Sequence, residues 1–109
     1  MASLLVWLWD DESEEWIKSP AVISHKRIAV TGQVVTGHRH LHWISTNPSA
    51  GNSLFELTDN TSGLGDPIFD HFDTTRDSHV LNFNPPWHFG NGIYVKTLTN
   101  FTSLIFGYV

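Results

Sequence analysis

Three histidines, His38, His40 and His42, alternate along one stretch of the chain. Residues two apart in a strand point to the same face, so these three imidazoles are expected to share one face. Neutral imidazoles at this spacing can bind one Zn²⁺ or a similar divalent ion, which makes the three residues candidate metal ligands. The alternative is a polar outer face, with Leu41 and Trp43 packed in the core behind it.

Other chemistry is weakly represented. Aspartates at positions 66, 70, 73 and 77 do not have the spacing of a calcium-binding EF-hand loop, and Asp is common beside turns. The chain has no Cys, no G-x-S-x-G motif and no Gly-rich phosphate loop. We therefore predict no catalytic residue, no enzyme activity and no cofactor apart from the metal that the histidine row could bind.

Composition favours a binding or assembly module. The 109 residues fit one domain, and a net charge of -5 with only six Lys and Arg argues against a nucleic-acid partner. Charged residues make up 16% and aromatic residues 13% of the chain. An aromatic-rich β core explains this composition, and so does a surface that is covered by partners, where aromatic residues are enriched and charges depleted.

The apolar residues 4–9 do not resemble a signal peptide. They lack a basic leader, are followed directly by acidic residues and precede no small-residue cleavage site. No apolar stretch approaches the length of a membrane span. The sequence thus predicts a protein without a signal peptide or a membrane partner.

Short strand-like runs separated by turn residues extend along the chain, while helical periodicity is weak. We predict a single all-β domain over residues 1–109, an antiparallel β-sandwich or jelly-roll-like fold with about eight or nine short strands. Pro85 and Pro86 are expected to end the strand over 79–83. The predicted strands cover 5–9, 15–18, 23–35 as one kinked strand or two, 38–45, 53–58, 68–72, 79–83, 93–98 and 103–109.

Two segments are candidates for contact with other subunits. Residues 1–19 form a predicted Trp-rich hairpin with an acidic turn, which we interpret as an interaction arm that packs on its own domain or on a neighbour. The last strand, 103–109, is apolar on both faces, so it is either central in its sheet or covered from outside. The candidate interface residues are Trp7, Trp9, Trp16, Trp87, Phe106 and Tyr108.

The second half of the chain resembles small β-sandwich structural proteins of tailed phages, especially cyanophages. The resemblance covers about residues 40 to 109 and rests on short motifs: residues 42–44, 48–53, 55–59 and 81–83, and the ending formed by 92–95 and 98–104. It implies a virion component that is made in the host cytoplasm. It further implies a capsid decoration or cement protein, a homo-oligomer (trimer favoured) bound to the major capsid protein or other virion proteins.

Three alternatives remain open at this stage. One is a neck, tail or fibre-attachment component of the same particle. Another is a carbohydrate-binding module that stacks sugars on exposed tryptophans. A third is a cupin-like metal enzyme using His38, His40 and His42, which also needs a Glu and a distant His in the arrangement of that family. The candidate tryptophans are Trp7, Trp9, Trp16, Trp43 and Trp87.

Overall fold

A computed structural model describes residues 7–10, 15–18 and 23–109 of the chain. Within these residues there are ten strands and no helix, and accordingly no helix long and apolar enough to cross a membrane. The strands are β1 (Trp7–Asp10), β2 (Glu15–Lys18), β3 (Ser24–Ile28), β4 (Gly32–Thr36), β5 (Arg39–Pro48), β6 (Ser53–Asp59), β7 (Phe69–Asp73), β8 (Val80–Phe89), β9 (Gly92–Thr99) and β10 (Phe101–Tyr108).

Eight of these strands form two four-stranded antiparallel sheets. Sheet 1 has the order β3-β10-β5-β8, and sheet 2 has the order β4-β9-β6-β7. Successive strands from β3 to β6 alternate between the sheets, and β7 to β10 return alongside them, which is the strand order of a jelly roll. The predicted all-β antiparallel sandwich is therefore confirmed.

The first two strands form a separate two-stranded sheet, called here the N-terminal hairpin. β1 pairs with β2 in antiparallel register, with Trp9 opposite Trp16 and Asp10 opposite Glu15. The hairpin precedes β3, which is an edge strand of sheet 1.

The core lies between the inner faces of the two sheets. Ile28, Leu104 and Thr46 illustrate how it is built, since they are register partners on three neighbouring strands and all three are buried. Burying apolar side chains from both sheets provides the main driving force for the sandwich. The fully buried apolar side chains are Leu41, Ile44, Phe55, Leu57, Phe89, Ile93, Val95, Leu104 and Phe106.

For one predicted segment the structure decides between two alternatives, and for another the prediction is wrong. The β-branched run over 23–35 divides at residues 29–31 into β3 and β4, which belong to different sheets. The prediction that Pro85 and Pro86 end a strand is wrong, because β8 continues through them to Phe89. β8 is an edge strand with an irregular register at this point, where the missing N–H of proline removes no ladder hydrogen bond.

The last strand is central, as one of the two sequence-based alternatives required. β10 pairs with β3 on one side and β5 on the other. On its inner face Leu104 and Phe106 are fully buried, and on its outer face Gly107 lies beneath the Trp43 indole.

Candidate functional site

The outer face of sheet 1 is the most distinctive surface of the described chain. None of the residues in the four strands of this sheet is Asp or Glu. Strand register places Arg27, Ile105, Ser45 and Val80 in one row across the outer face. Val80 is 61% exposed and Arg27 is also exposed, so the row presents a cation and apolar surface to solvent. This surface, together with the row formed by His25, Trp43 and Asn82, is called the basic face.

Trp43 lies flat on the sheet because the residue beneath it has no side chain. Gly107 is the register partner of both Trp43 and His25. A Cβ atom on Gly107 would collide with the Trp43 indole, so the ring occupies the space above the glycine. The His25 ring is tilted against the indole, with 5.3 Å between centroids. The result is a half-buried aromatic platform in the middle of the basic face.

The position of Trp43 corrects the predicted alternation along β5. Leu41 and Ile44 are both fully buried although they are three residues apart. A register irregularity between Leu41 and Trp43 explains this, since an extra residue in a strand reverses the faces beyond it. Trp43 therefore lies on the outer face, and the expectation that it packs in the core beside Leu41 is wrong.

The predicted histidine row is only partly brought together. The Nδ1 of His38 is 3.4 Å from the Nε2 of His88, and the two rings are stacked. The His40 ring is 5.0 Å from the His88 ring, its register partner on β8. His42 lies at the register irregularity, and its ring contacts none of these three. The cluster that forms therefore contains His38, His40 and His88 in place of His42. The spacing of His38, His40 and His42 could not indicate His88.

Metal binding by this group has no support in the geometry. Among the described residues, no set of three or more His, Asp or Glu side chains is arranged to hold a metal ion. The imidazoles of His38, His40 and His88 are exposed; the His38 ring is stacked on the His88 ring, and the His40 ring is tilted against it. Their chemical capacity is that of a titratable, hydrogen-bonding surface at one end of the basic face.

The outer face of sheet 2 has the opposite character. Glu56 and Asp70 are register partners on β6 and β7, and Leu54 and Phe72 form the next pair on the same face. Phe72 is 58% exposed. The Thr97 hydroxyl donates a 2.6 Å hydrogen bond to Glu56 Oε1. This acidic face, formed by Leu54, Glu56, Asp70 and Phe72, presents apolar surface beside carboxylates.

A second polar cluster closes the loop between β7 and β8. His79 Nε2 lies 2.6 Å from Asp73 Oδ2, which forms an ion pair when the imidazole is protonated. Asp73 also accepts a hydrogen bond from the backbone N–H of Thr75, and these contacts hold the pKa of the Asp73 carboxyl below its usual value. The Thr75 hydroxyl lies 2.6 Å from Asp77 Oδ2. Sequence alone did not pair Asp73 with His79, although both flank the same short loop.

Two buried polar atoms lie close to this loop in the strand register. Ser53 on β6 is the register partner of Asp73, and His71 lies two residues before Asp73 on β7. Within the described residues, neither the Ser53 hydroxyl nor the His71 Nε2 has a hydrogen-bond partner. The His71 ring meets the His79 ring edge-on at 5.9 Å. These contacts hold the β7–β8 loop against the end of β7.

Asp59 organises the opposite end of the sandwich. Its carboxylate accepts hydrogen bonds from the backbone N–H groups of Gly90, Asn91 and Gly92, at 2.9, 2.7 and 3.3 Å. Burial alone would raise the pKa of Asp59, but the three N–H donors, with a smaller contribution from His88, lower it overall. Because Asp59 belongs to sheet 2 and the turn leads out of β8, the carboxylate links the two sheets.

The predicted interface residues differ in burial and in their contacts. Phe106 is fully buried in the core, so its assignment to an interface is corrected: an inward-facing side chain at a central strand cannot reach a partner. Tyr108 packs against the core, with the Arg39 guanidinium 5.9 Å from its ring centroid. Trp87 is part of an aromatic cluster at the β7–β8 edge and meets Phe69 edge-on at 5.6 Å. The side chains of Trp7, Trp9 and Trp16 lie outside the described residues.

Comparison with known proteins identifies no relative. No protein-family model, no curated protein and no solved structure matches the chain.

Proposed function

We propose that this protein is a structural component of a tailed-phage particle, a decoration protein that binds the major capsid protein as a homo-oligomer on the head shell. The observation that carries the proposal is the jelly-roll strand order of the two sheets. Viral capsid domains commonly use this architecture, as do lectins and cupins. The function must therefore be argued from the surfaces as well as from the fold.

The segments that resemble phage structural proteins build the centre of the sandwich. Gly92–Val95 begins β9, and residues 98–104 span the turn from β9 into β10. Each of these strands is flanked on both sides within its own sheet. The residues that carry the resemblance therefore belong to the central strands of the sandwich. This supports a shared fold with the phage structural proteins.

The surfaces support assembly in a second way. Val80 and Phe72 are large apolar side chains exposed on opposite outer faces of the sandwich. Arg27 lies in the same cross-strand row as Val80, at the opposite edge of sheet 1, and Asp70 lies two residues before Phe72 on β7. Outer faces that combine exposed apolar side chains with charged residues are typical of surfaces that recognise a complementary partner.

The experiment is a cryo-EM reconstruction of the phage particle that encodes this chain. We expect density for the sandwich on the head shell in a fixed ratio to the major capsid protein, which gives hundreds of copies. A dozen copies or fewer at a vertex would assign the protein to the neck, tail or fibre attachment instead. Absence of the chain from purified particles would refute a virion role.

One observation favours a second candidate function, carbohydrate binding. The Trp43 indole lies over Gly107 on the outer face, in the orientation that sugar-stacking aromatic residues need. Trp87 is less suitable because Phe69 and Phe83 contact its ring. Glycan-array binding that is lost in Trp43→Ala and kept in Trp43→Phe would support this candidate, while binding unaffected by Trp43→Ala would exclude this residue as its platform.

A further inference from the structure

The end of the N-terminal hairpin concentrates negative charge. Asp10 lies directly opposite Glu15 in the strand register, and like charges directly opposite one another destabilise a strand pair. The sequence places three more carboxylates, Asp11, Glu12 and Glu14, between them. A two-stranded hairpin is only marginally stable alone. This hairpin therefore gains most from a surface that supplies cations and apolar contact together.

Sheet 1 offers such a surface without carboxylates, whereas sheet 2 carries the exposed cation Lys96 together with Glu56 and Asp70. The basic face presents Arg27 and His25 beside Trp43 and Val80, from strands that contain no carboxylate. The carboxylates of residues 23–109 belong to sheet 2 or to loops. Charge complementarity therefore favours the outer face of sheet 1 over that of sheet 2 as a surface for the acidic end of the hairpin.

The connection to the sandwich holds the hairpin beside this face. β2 ends at Lys18 and β3 begins at Ser24, and a connection of this length spans at most about 20 Å when fully extended. β3 is the edge strand of sheet 1, with Arg27 three residues after Ser24. The hairpin is thus anchored at the border of the basic face, within reach of its own sandwich and of a neighbouring copy.

We propose that the basic face is the binding site of the acidic end of the N-terminal hairpin of this chain. Arg27 would offset the charge of the Asp10–Glu15 pair and the imidazole N–H groups of the face would donate hydrogen bonds to its carboxylates, while Trp43, Ile105 and Val80 provide the apolar contact. The inference concerns the isolated protein and holds wherever in a particle the protein acts, so its test is independent of the cryo-EM experiment above.

Disulfide trapping tests the proposal in the full-length chain, which has no cysteine of its own. Ser13→Cys places a thiol among the hairpin carboxylates without removing one, and Ser45→Cys places its partner in the middle of the basic face. We expect this double variant to crosslink under a mild oxidant. A faster-migrating monomer on a non-reducing gel shows that the hairpin binds its own sandwich, and a covalent dimer shows that it binds a second copy.

The matched control pairs Ser13→Cys with Thr99→Cys on the outer face of sheet 2, where Thr99 is the register partner of Leu54. Thr99 is exposed and Ser45 is half-buried, so exposure alone favours the control. Adding Arg27→Glu to the Ser13/Ser45 variant should slow crosslinking by about threefold or more, as expected for reversing a surface charge against several carboxylates. Arg76→Glu, a reversal in the β7–β8 loop, should leave the rate unchanged.

Three results would each overturn the proposal. Crosslinking at Thr99 that is as fast as at Ser45 would show no preference for the basic face. A rate that ignores both Arg27→Glu and added salt would show that charge does not guide the contact. Self-association that is lost in Asp70→Arg but kept when the five hairpin carboxylates are neutralised would identify the acidic face of a second copy as the occupant.

Discussion

Sheet 1 and sheet 2 have similar apolar inner faces, but their outer faces differ in charge. Both contribute fully buried side chains to the same core, for example Ile44 from β5 and Phe55 from β6. Their outer faces differ in charge, because Arg27 lies on one, whose strands have no carboxylate, and Glu56 and Asp70 lie with Lys96 on the other. Folding constrains the inner faces through packing, whereas the outer faces are free to vary. The difference in charge between them is the property on which the proposed hairpin contact depends.

The largest expected change in the free energy of unfolding comes from a residue on the inner face of β10. Phe106→Ala should lower the free energy of unfolding by about 3–5 kcal/mol, the usual cost of removing a buried phenyl ring. Urea denaturation followed by circular dichroism measures this change. A loss below about 1 kcal/mol, accompanied by a change in oligomeric state, would restore Phe106 to an interface and contradict its burial in the core.

A smaller effect is expected on the outer side of the same strand. Gly107→Ala would push a methyl group into the Trp43 indole, which we expect to cost about 1–3 kcal/mol as an overpacked contact. The same substitution in a Trp43→Ala background should cost much less, because the ring that it displaces is gone. A double-mutant cycle measures the coupling, and additive effects would show that Trp43 does not lie on Gly107.

Asp59 provides a test of the link between the two sheets. Asp59→Asn weakens three hydrogen bonds to a carboxylate and should cost about 1–2 kcal/mol at neutral pH. Because the pKa of Asp59 is lowered from 3.8 in the folded protein, its stabilising effect is present above about that pH and is lost as the pH falls through the lowered value.

The measurement is the unfolding free energy of wild type and Asp59→Asn between pH 2 and 7. The two curves should converge at the acidic end and separate above the ordinary pKa of the carboxyl group. Asp66→Asn, a change at an exposed aspartate, serves as the control and should follow wild type throughout. Parallel curves for wild type and Asp59→Asn would show that the carboxylate charge does not hold the turn.

Much of the sandwich could be predicted because local sequence sets strand positions. Alternation, β-branched residues and turn residues located the strands to within a few residues, apart from the end of β8, and the last turn at Asn100 matches its left-handed φ of 59°. The continuation of β8 through Pro85 and Pro86 could not be predicted. It depends on β8 being an edge strand, which is a property of the assembled sheet.

The candidate surface was harder to predict for a similar reason. The spacing of His38, His40 and His42 assumes an unbroken strand, and the irregularity in β5 removes that assumption. His88 and His40 are 48 residues apart in sequence and come together only because β5 pairs with β8. The absence of carboxylates from sheet 1 is equally non-local, because its four strands come from four separate parts of the chain.

The smallest effect on stability gives the sharpest comparison of the two outer faces. Val80 and Phe72 are exposed to 61% and 58% on opposite sheets, so Val80→Ser and Phe72→Ser should each change the free energy of unfolding by less than about 0.5 kcal/mol. If the basic face binds the hairpin, Val80→Ser should slow crosslinking between Ser13→Cys and Ser45→Cys, while Phe72→Ser leaves it unchanged. Equal slowing by both substitutions would mean that exposed apolar surface, rather than the carboxylate-free face of sheet 1, directs the contact.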